Sequence, residues 1–272
     1  MNAPERRLGL LTTEEIAAIP RRDALVVQPI GSTEQHGPHL PCLTDALIAE
    51  AVAERAAASL PPEANVWLLP RLSYGKSNEH GDRAGTVTLS ASTLAAVCHD
   101  LGRSLAASGF RKLAFVNGHG GQPSLLDVVA RDIRQETGLQ VFPLTVSRLG
   151  LPDGVRTADA AFGIHGGELE TSVMMALDPS LVRTDRLPVD GERLGELYAG
   201  YRHLTLEGAV PTAWLMDDLS ASGVVGDARA ASAELGRTVL EHWAAELAVA
   251  YEEMSGFEFP PVEAPVLEAA HG

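Results

Sequence analysis

The chain has 272 residues, 45% of them hydrophobic, which supplies one generous globular domain or two small ones and disfavours a disordered or fibrous chain. Its 21 basic and 36 acidic residues leave a formal net charge of -15, a field that repels a phosphate backbone and argues against a nucleic-acid partner. The two cysteines, Cys42 and Cys98, make neither a disulfide framework nor a paired metal-ligand spacing, and suit a reducing cytosol.

The first seven residues include basic side chains but lead into no apolar run of the kind a signal peptide needs, so export is not expected. No window approaches the roughly 18 uninterrupted apolar residues of a membrane span, and the reading is a soluble cytoplasmic protein with no membrane partner. Residues 24–30, 65–70, 113–117 and 139–144 are short and rich in β-branched and aliphatic side chains, as strands buried on both faces are. Between them, residues 45–60 repeat apolar positions at helical spacing. Ser90 caps a second helix running through Leu94, Val97, Leu101 and Leu105 to Gly109, and Pro123 opens a third that Gly138 closes. The alternation predicts an α/β fold with a mostly parallel central sheet covered on both sides. Residues 148–167 hold Gly, Pro and Asp without periodicity, and long irregular stretches in compact domains are usually functional. A short helix is expected over 168–177 and an alanine-rich amphipathic one over 228–254, whose apolar face suits either its own sheet or a second subunit. No composition break separates two cores, so residues 1–255 read as a single domain. A proline-containing tail, 256–272, lies across the surface or frays.

Three polar clusters stand at element ends, and the carboxyl ends of parallel strands are where ligands bind. The first, Gly31-Ser-Thr-Glu34-Gln-His36-Gly-Pro-His39, follows the first strand and precedes Asp45 at a helix start. Glu34 and His36 are two apart, so in extended backbone they leave one face and converge on one cation or two adjacent ones, with Asp45 able to bridge. Carboxylate with imidazole suits Zn²⁺, Mn²⁺ or Fe²⁺. Alone, the Glu-x-His spacing reads first as caps and a surface loop. A second cluster changes that: Asn117-Gly-His119-Gly-Gly121 runs from an apolar strand into a glycine-rich turn presenting one imidazole, and it matches no phosphate-loop pattern. The third, His165-Gly-Gly-Glu168-Leu-Glu170, opens a helix, where glutamate is also favoured by the macrodipole alone. Glu168 and Glu170 point to different faces there, so at most one reaches a shared centre.

Together, Glu34-Gln-His36-Gly-Pro-His39-Leu-Pro with Asp45, Asn117-Gly-His119-Gly-Gly, and His165-Gly-Gly-x-x-Glu170-Thr-Ser resemble the creatininase family of metal-dependent amidohydrolases. The likeness runs from Leu10 to Leu181 and includes Gly75-x-Ser77-x-Glu79-His80. It implies a three-layer α/β/α sandwich and two divalent metal ions per chain (Zn, Mn or Fe), held at Glu34, His36, Asp45 and His119 with Asp45 as the bridge. Creatinine-hydrolysing members carry a glutamate ligand two residues after the position of His119, where this chain has Gly121. That departure weighs against creatinine as substrate and calls for another carboxylate. Glu170, which the family motif carries, is preferred over Glu168. Asp82-Arg83-Ala84 departs as well, and Arg83 is either a site residue favouring an anionic substrate or a solvated loop arginine.

The expected chemistry is attack of a hydroxide bridging the two ions on the carbonyl of a small amide substrate, including cyclic, creatinine-like or formamide substrates. His165 is the candidate proton donor to the leaving nitrogen, with Glu168 as relay. By resemblance, Ser77, Glu79 and His80 are the candidate substrate contacts. Two alternatives stand beside this reading. One is a peptidase of the same family acting on a modified peptide. The other is a metal-binding interaction protein without turnover, for which Gly121 speaks. The hexamers of the family, trimers of dimers, imply a homo-oligomer. His39, His99, His203, His242 and His271 read as packed or exposed structural histidines. Trp67, Trp214 and Trp243 read as core or interface residues, Trp214 alternatively closing over a substrate.

Overall fold

Four strands, β1 (Leu25–Ile30), β2 (Val66–Leu68), β3 (Lys112–Asn117) and β4 (Gln140–Thr145), lie in the order β2-β1-β3-β4 and all run parallel. They belong to a computed structural model that describes residues 5–260. The helices are α1 (Thr13–Ala18), α2 (Thr44–Ser59), α3 (Ala91–Ala107), α4 (Pro123–Thr137), α5 (Glu168–Leu177), α6 (Glu192–Ala199), α7 (Met216–Leu219) and α8 (Ala233–Gly256). Side chains alternate across the sheet as a period of two demands. Leu25, Val27, Ala114 and Val116 face a core filled by Val52 of α2, Val173 and Met174 of α5 and Leu240 of α8. Val26, Leu113 and Phe115 face the opposite core, with Leu94 of α3 and Leu126 and Val129 of α4. The result is a three-layer α/β/α sandwich whose two central strands, β1 and β3, are buried on both faces.

Local signals set most boundaries. The Ser90 hydroxyl accepts from the Thr93 amide to start α3, and Gly138 closes α4 in the left-handed region at φ 75. The reading of 228–254 as one helix began too early: residues Ala228–Ala230 make a single 3-10 turn. The continuous helix starts after Ser232, whose hydroxyl accepts from the Leu235 amide. The apolar face of α8 is internal. Val239, Trp243, Leu247 and Tyr251 recur every four residues, all buried, and the Trp243 indole donates to the Gly150 carbonyl at 2.7 Å. That face therefore packs on the protein's own core. Of the expected tail, residues 257–260 lie along the sheet. Phe257 meets Phe142 edge-on, and Lys112 donates to the carbonyls of Ser255 and Phe257; residues 261–272 lie outside the described part.

Residues 189–227 add a small roof. Strands β5 (Val189–Asp190) and β8 (Gly226–Asp227) pair antiparallel, and β6 (Leu204–Thr205) and β7 (Val210–Pro211) pair parallel. Leu194, Leu206, Met216, Leu219 and Val225 form its own apolar cluster, against which Trp214 packs. The roof is tied to the irregular stretch by backbone pairing of His165 with Val225, in which each amide donates to the other's carbonyl. Among the described residues no helix is long and apolar enough to cross a membrane.

Candidate metal centre

The carboxyl ends of β1 and β3 are adjacent, Ile30 standing opposite Asn117, so the loops that follow them open at one place. The first turn of α2 comes down onto these ends. A Cβ at Gly118 would stand 2.3 Å from the Asp45 carbonyl oxygen, so only glycine allows so close an approach. This packing, rather than any local motif, brings Asp45 between Glu34 and His119.

The donor atoms of Glu34, Asp45 and His119 lie within 4.8 Å of one another, and so do those of His36, Asp45 and Glu170. Asp45 divides its oxygens between the two groups. Oδ2 is 3.0 Å from His119 Nδ1 and accepts from the Ser32 hydroxyl at 2.7 Å, while Oδ1 is 3.1 Å from His36 Nε2. Glu34 Oε2 stands 3.2 Å from His119 Nδ1, and Glu170 Oε2 stands 3.9 Å from His36 Nε2. Each imidazole is oriented from behind. His36 Nδ1 donates to the Glu34 carbonyl at 3.1 Å and His119 Nε2 to the Lys76 carbonyl at 2.9 Å, which turns the other nitrogen's lone pair inward. A third group, Glu34, His36 and His165, adjoins them.

The electrostatics show what the donors require. Burial disfavours charge on every member, yet Glu34 is held well below the usual carboxylate range by His119, with His80 and His165 helping. Burial likewise lowers His36, but the Asp45 carboxylate, with Glu170 and Glu34, outweighs it and lifts the imidazole to about 10. His119 is raised in the same way, by Glu34 and Asp45 against its burial. Glu170 is pushed up to about 7 by burial, with the Asp45 and Glu34 charges adding to the shift. Buried carboxylates that can be balanced only by holding protons on two imidazoles make a donor set that divalent cations fit, and the oxygen and nitrogen mixture suits Zn²⁺ or Mn²⁺.

The remaining expected site residues divide. His80 and Glu79 line the cavity over these donors, together with His165 and Gly121. His80 Nε2 donates to Glu34 Oε1 at 3.2 Å, and Glu79 takes Lys76 Nζ at 2.8 Å while its other oxygen, buried and without a hydrogen bond among the described residues, lies 3.4 Å from His119 Nε2. A Cβ at Gly121 would lie 1.7 Å from that oxygen, so Glu79 fills the space beside Gly121. Ser77 is fully buried, its amide donating to the Thr88 hydroxyl, and it does not line the cavity. Glu168 lies off the cavity lining as well. Its carboxylate accepts from the Ala158 amide and its own amide donates to Asp159, which makes it an anchor of the irregular stretch rather than a relay to His165. Arg83 does not face the cavity either; it reaches Asp217 and the carbonyls of Ser220 and Ala221.

Gln35 and Glu207 escaped the sequence reading. Gln35, inside the first motif, donates to His80 Nδ1 at 2.9 Å and to the Gly223 carbonyl at 2.8 Å, and its carbonyl accepts from His165 Nε2 at 2.8 Å. Gln122 ties Asn117 to the Lys76 amide. Glu207 and the half-buried Trp214 reach the cavity from the roof, and no local pattern marked Glu207. His39, set aside as structural, is buried with Nε2 on Thr171 at 2.8 Å.

A family model described as creatinine amidohydrolase matches residues 9–251. The chain belongs to the creatininase family. Among relatives of this creatininase-family chain, the mycofactocin precursor peptide peptidase of Mycobacterium ulcerans is 36% identical over 226 residues, covering 80% of this chain and 85% of that protein. The creatinine amidohydrolase of Pseudomonas putida is 30% identical over 277 residues, covering 93% and 97%. A solved manganese creatininase superposes with a TM-score of 0.73 at 27% identity, over 93% of this chain and 100% of the other. A creatininase variant in a Zn-Zn form gives 0.73 at 26%, over 93% and 99%. Members of the creatininase family similar to this chain are thus named as hydrolases, and solved ones carry manganese or zinc, so the chain is an enzyme of that class.

Proposed function

We propose that the chain is a dinuclear-metal amidohydrolase that cleaves a C–N bond of a peptide substrate. The observation that carries this is the division of Asp45, one oxygen to each of two donor groups, at the floor of a cavity bordered by His165. Bound divalent ions supply a Lewis acid and an acidified water there. Glu34 and His119 would hold one ion, His36 and Glu170 the other, with Asp45 contributing an oxygen to each. His165 keeps its proton on Nε2 against the Gln35 carbonyl and presents Nδ1 toward Glu34 and the cavity. Burial and the neighbouring His36 and His80 hold its pKa well below the usual imidazole range, so that nitrogen has a free lone pair. It takes a proton from the attacking water and passes it to the leaving nitrogen as the C–N bond breaks.

Peptide rather than creatinine is favoured on two grounds. The cavity at the ion site is small, about 30 Å³, but it continues past His165 and Glu170 into a groove of about 250 Å³ beside Thr145, Ser147 and Thr157, which suits an extended substrate. The relative from Mycobacterium ulcerans is named a precursor peptide peptidase. A binding protein without turnover loses its support, because Glu170 supplies a carboxylate to the second group and Glu79 occupies the space at Gly121. The test is mass spectrometry of products after incubating Mn²⁺- or Zn²⁺-loaded protein with short peptides, formamides and creatinine. Peptide cleavage that disappears in E34Q and H119A is expected. Turnover of creatinine alone, or cleavage that survives in both variants, overturns the reading.

A further inference from the structure

The roof presents two side chains to the cavity that ion binding does not use. Glu207, in the turn between β6 and β7, and Trp214, ahead of α7, line it together with Ile164, His165 and Glu170. Glu207 also borders the groove that continues toward Ser147 and Thr157. Its position is set by its neighbour: Leu206 is buried in the apolar cluster of the roof, and Trp214 packs against that cluster. The carboxylate thus projects from an anchored turn.

Among the described residues no hydrogen bond or ion pair engages the Glu207 carboxylate, and no lysine or arginine lines the cavity or the groove. Arg83, on the loop below the roof, is committed to Asp217 at 2.8 Å and to the Ser220 carbonyl at 2.6 Å. A carboxylate without a cationic partner, beside an indole at one mouth, is the donor set that recognises ammonium and guanidinium groups. The first supplies a charge-assisted hydrogen bond and the second a π face. A neutral substrate gains little from such a carboxylate and an anionic one is repelled. The net charge of -15 adds long-range attraction for cations.

We propose that Glu207 and Trp214 are specificity-determining residues for a protonated amine, so that the preferred substrate carries an ammonium or guanidinium group on the flank that enters the groove. This rests on the hydrolase reading above and names its substrate class. The test uses alanine-based hexapeptides in which one lysine, or its neutral counterpart norleucine, occupies each position in turn. Binding is measured by calorimetry on Mn²⁺-loaded protein in an H165A background, which lacks the proton-transferring imidazole, with ion content and circular dichroism matched among variants. At one or two positions the lysine peptide is expected to bind about tenfold more tightly, which is about 1.4 kcal/mol. E207Q abolishes that preference, W214L weakens it, and E207K shifts it to a glutamate-bearing peptide. Equal binding of the pair at every position, no binding by either, or a lysine preference intact in E207Q overturns the proposal. Because binding is read without turnover, peptides that bind with the lysine preference but are never cleaved by the parent protein would sink the peptidase reading and leave the recognition site standing.

Discussion

Replacing Gly121 by alanine tests the architecture of the cavity wall. The added Cβ would stand 1.7 Å from Glu79 Oε1, 2.6 Å from His119 Nε2 and 2.9 Å from Glu79 Cδ, against roughly 3.5 Å for an unstrained contact. The Gly121 backbone has no positive φ, so the penalty is steric and not conformational. Glu79 must swing out of its buried position, and its bond to Lys76 Nζ at 2.8 Å goes with it. Overpacking of this kind costs about 1–3 kcal/mol; the partly exposed Lys76 pair adds only about 0–1 kcal/mol. Thermal melting of G121A is therefore expected several degrees below the parent, at roughly 2–4 °C per kcal/mol for a domain approaching this size. The decisive measurement is a double-mutant cycle with E79A, which removes the collision with Glu79 and leaves only the one with His119 Nε2. The double variant should melt well above the value expected from adding the two single losses. Strict additivity, or a G121A protein as stable as the parent, would show that Glu79 does not occupy that space.

Because Asp45 serves both donor groups, elemental analysis should find D45N depleted of both ions, whereas E170Q loses no more than one; equal losses would refute the partition. With ions chelated, His36 holds its proton to about pH 10 against an ordinary value near 6.5. The folded state then binds more protons than the unfolded one, and stability is lost as pH rises through that window. A chelated protein that melts no lower at pH 9 than at pH 7 would contradict this. Removing the Gln35 amide in Q35A frees His80 and should lower kcat/KM by roughly fivefold, the equivalent of one hydrogen bond of about 1 kcal/mol, with ion content unchanged. R83A should cost at most about 1 kcal/mol and leave discrimination between charged substrates unaltered, since Arg83 braces the exposed Asp217 instead of lining the cavity.

The sheet and its covering helices were legible because their signals are periodic and local: the β-strand runs, the Ser90 cap and the Pro123-to-Gly138 bracket all act within a few residues. Glu34, His36 and His119 drew notice by following apolar strands, with Asp45 at the next helix start, whereas Glu170 was preferred over Glu168 only through the resemblance to the family motif. Direction is what spacing does not carry. Spacing alone could not tell that Ser77 turns into the interior, that Glu168 reaches back to Ala158, or that Arg83 spans to Asp217, since each depends on a partner more than nine residues away. Glu207 escaped for the same reason. Its neighbourhood has two-residue strands and no amphipathic period, and only tertiary packing of Leu206 aims it at the cavity.

The reciprocal amides of His165 and Val225 mean that the imidazole rides on the roof, while Glu34, the carboxylate it faces, follows the first strand of the sheet. Any lengthening or shortening of the roof therefore works as a tuning screw, shifting one reacting group against the others without replacing a single donor. Two roof variants with equal ion content and unequal turnover would be its signature.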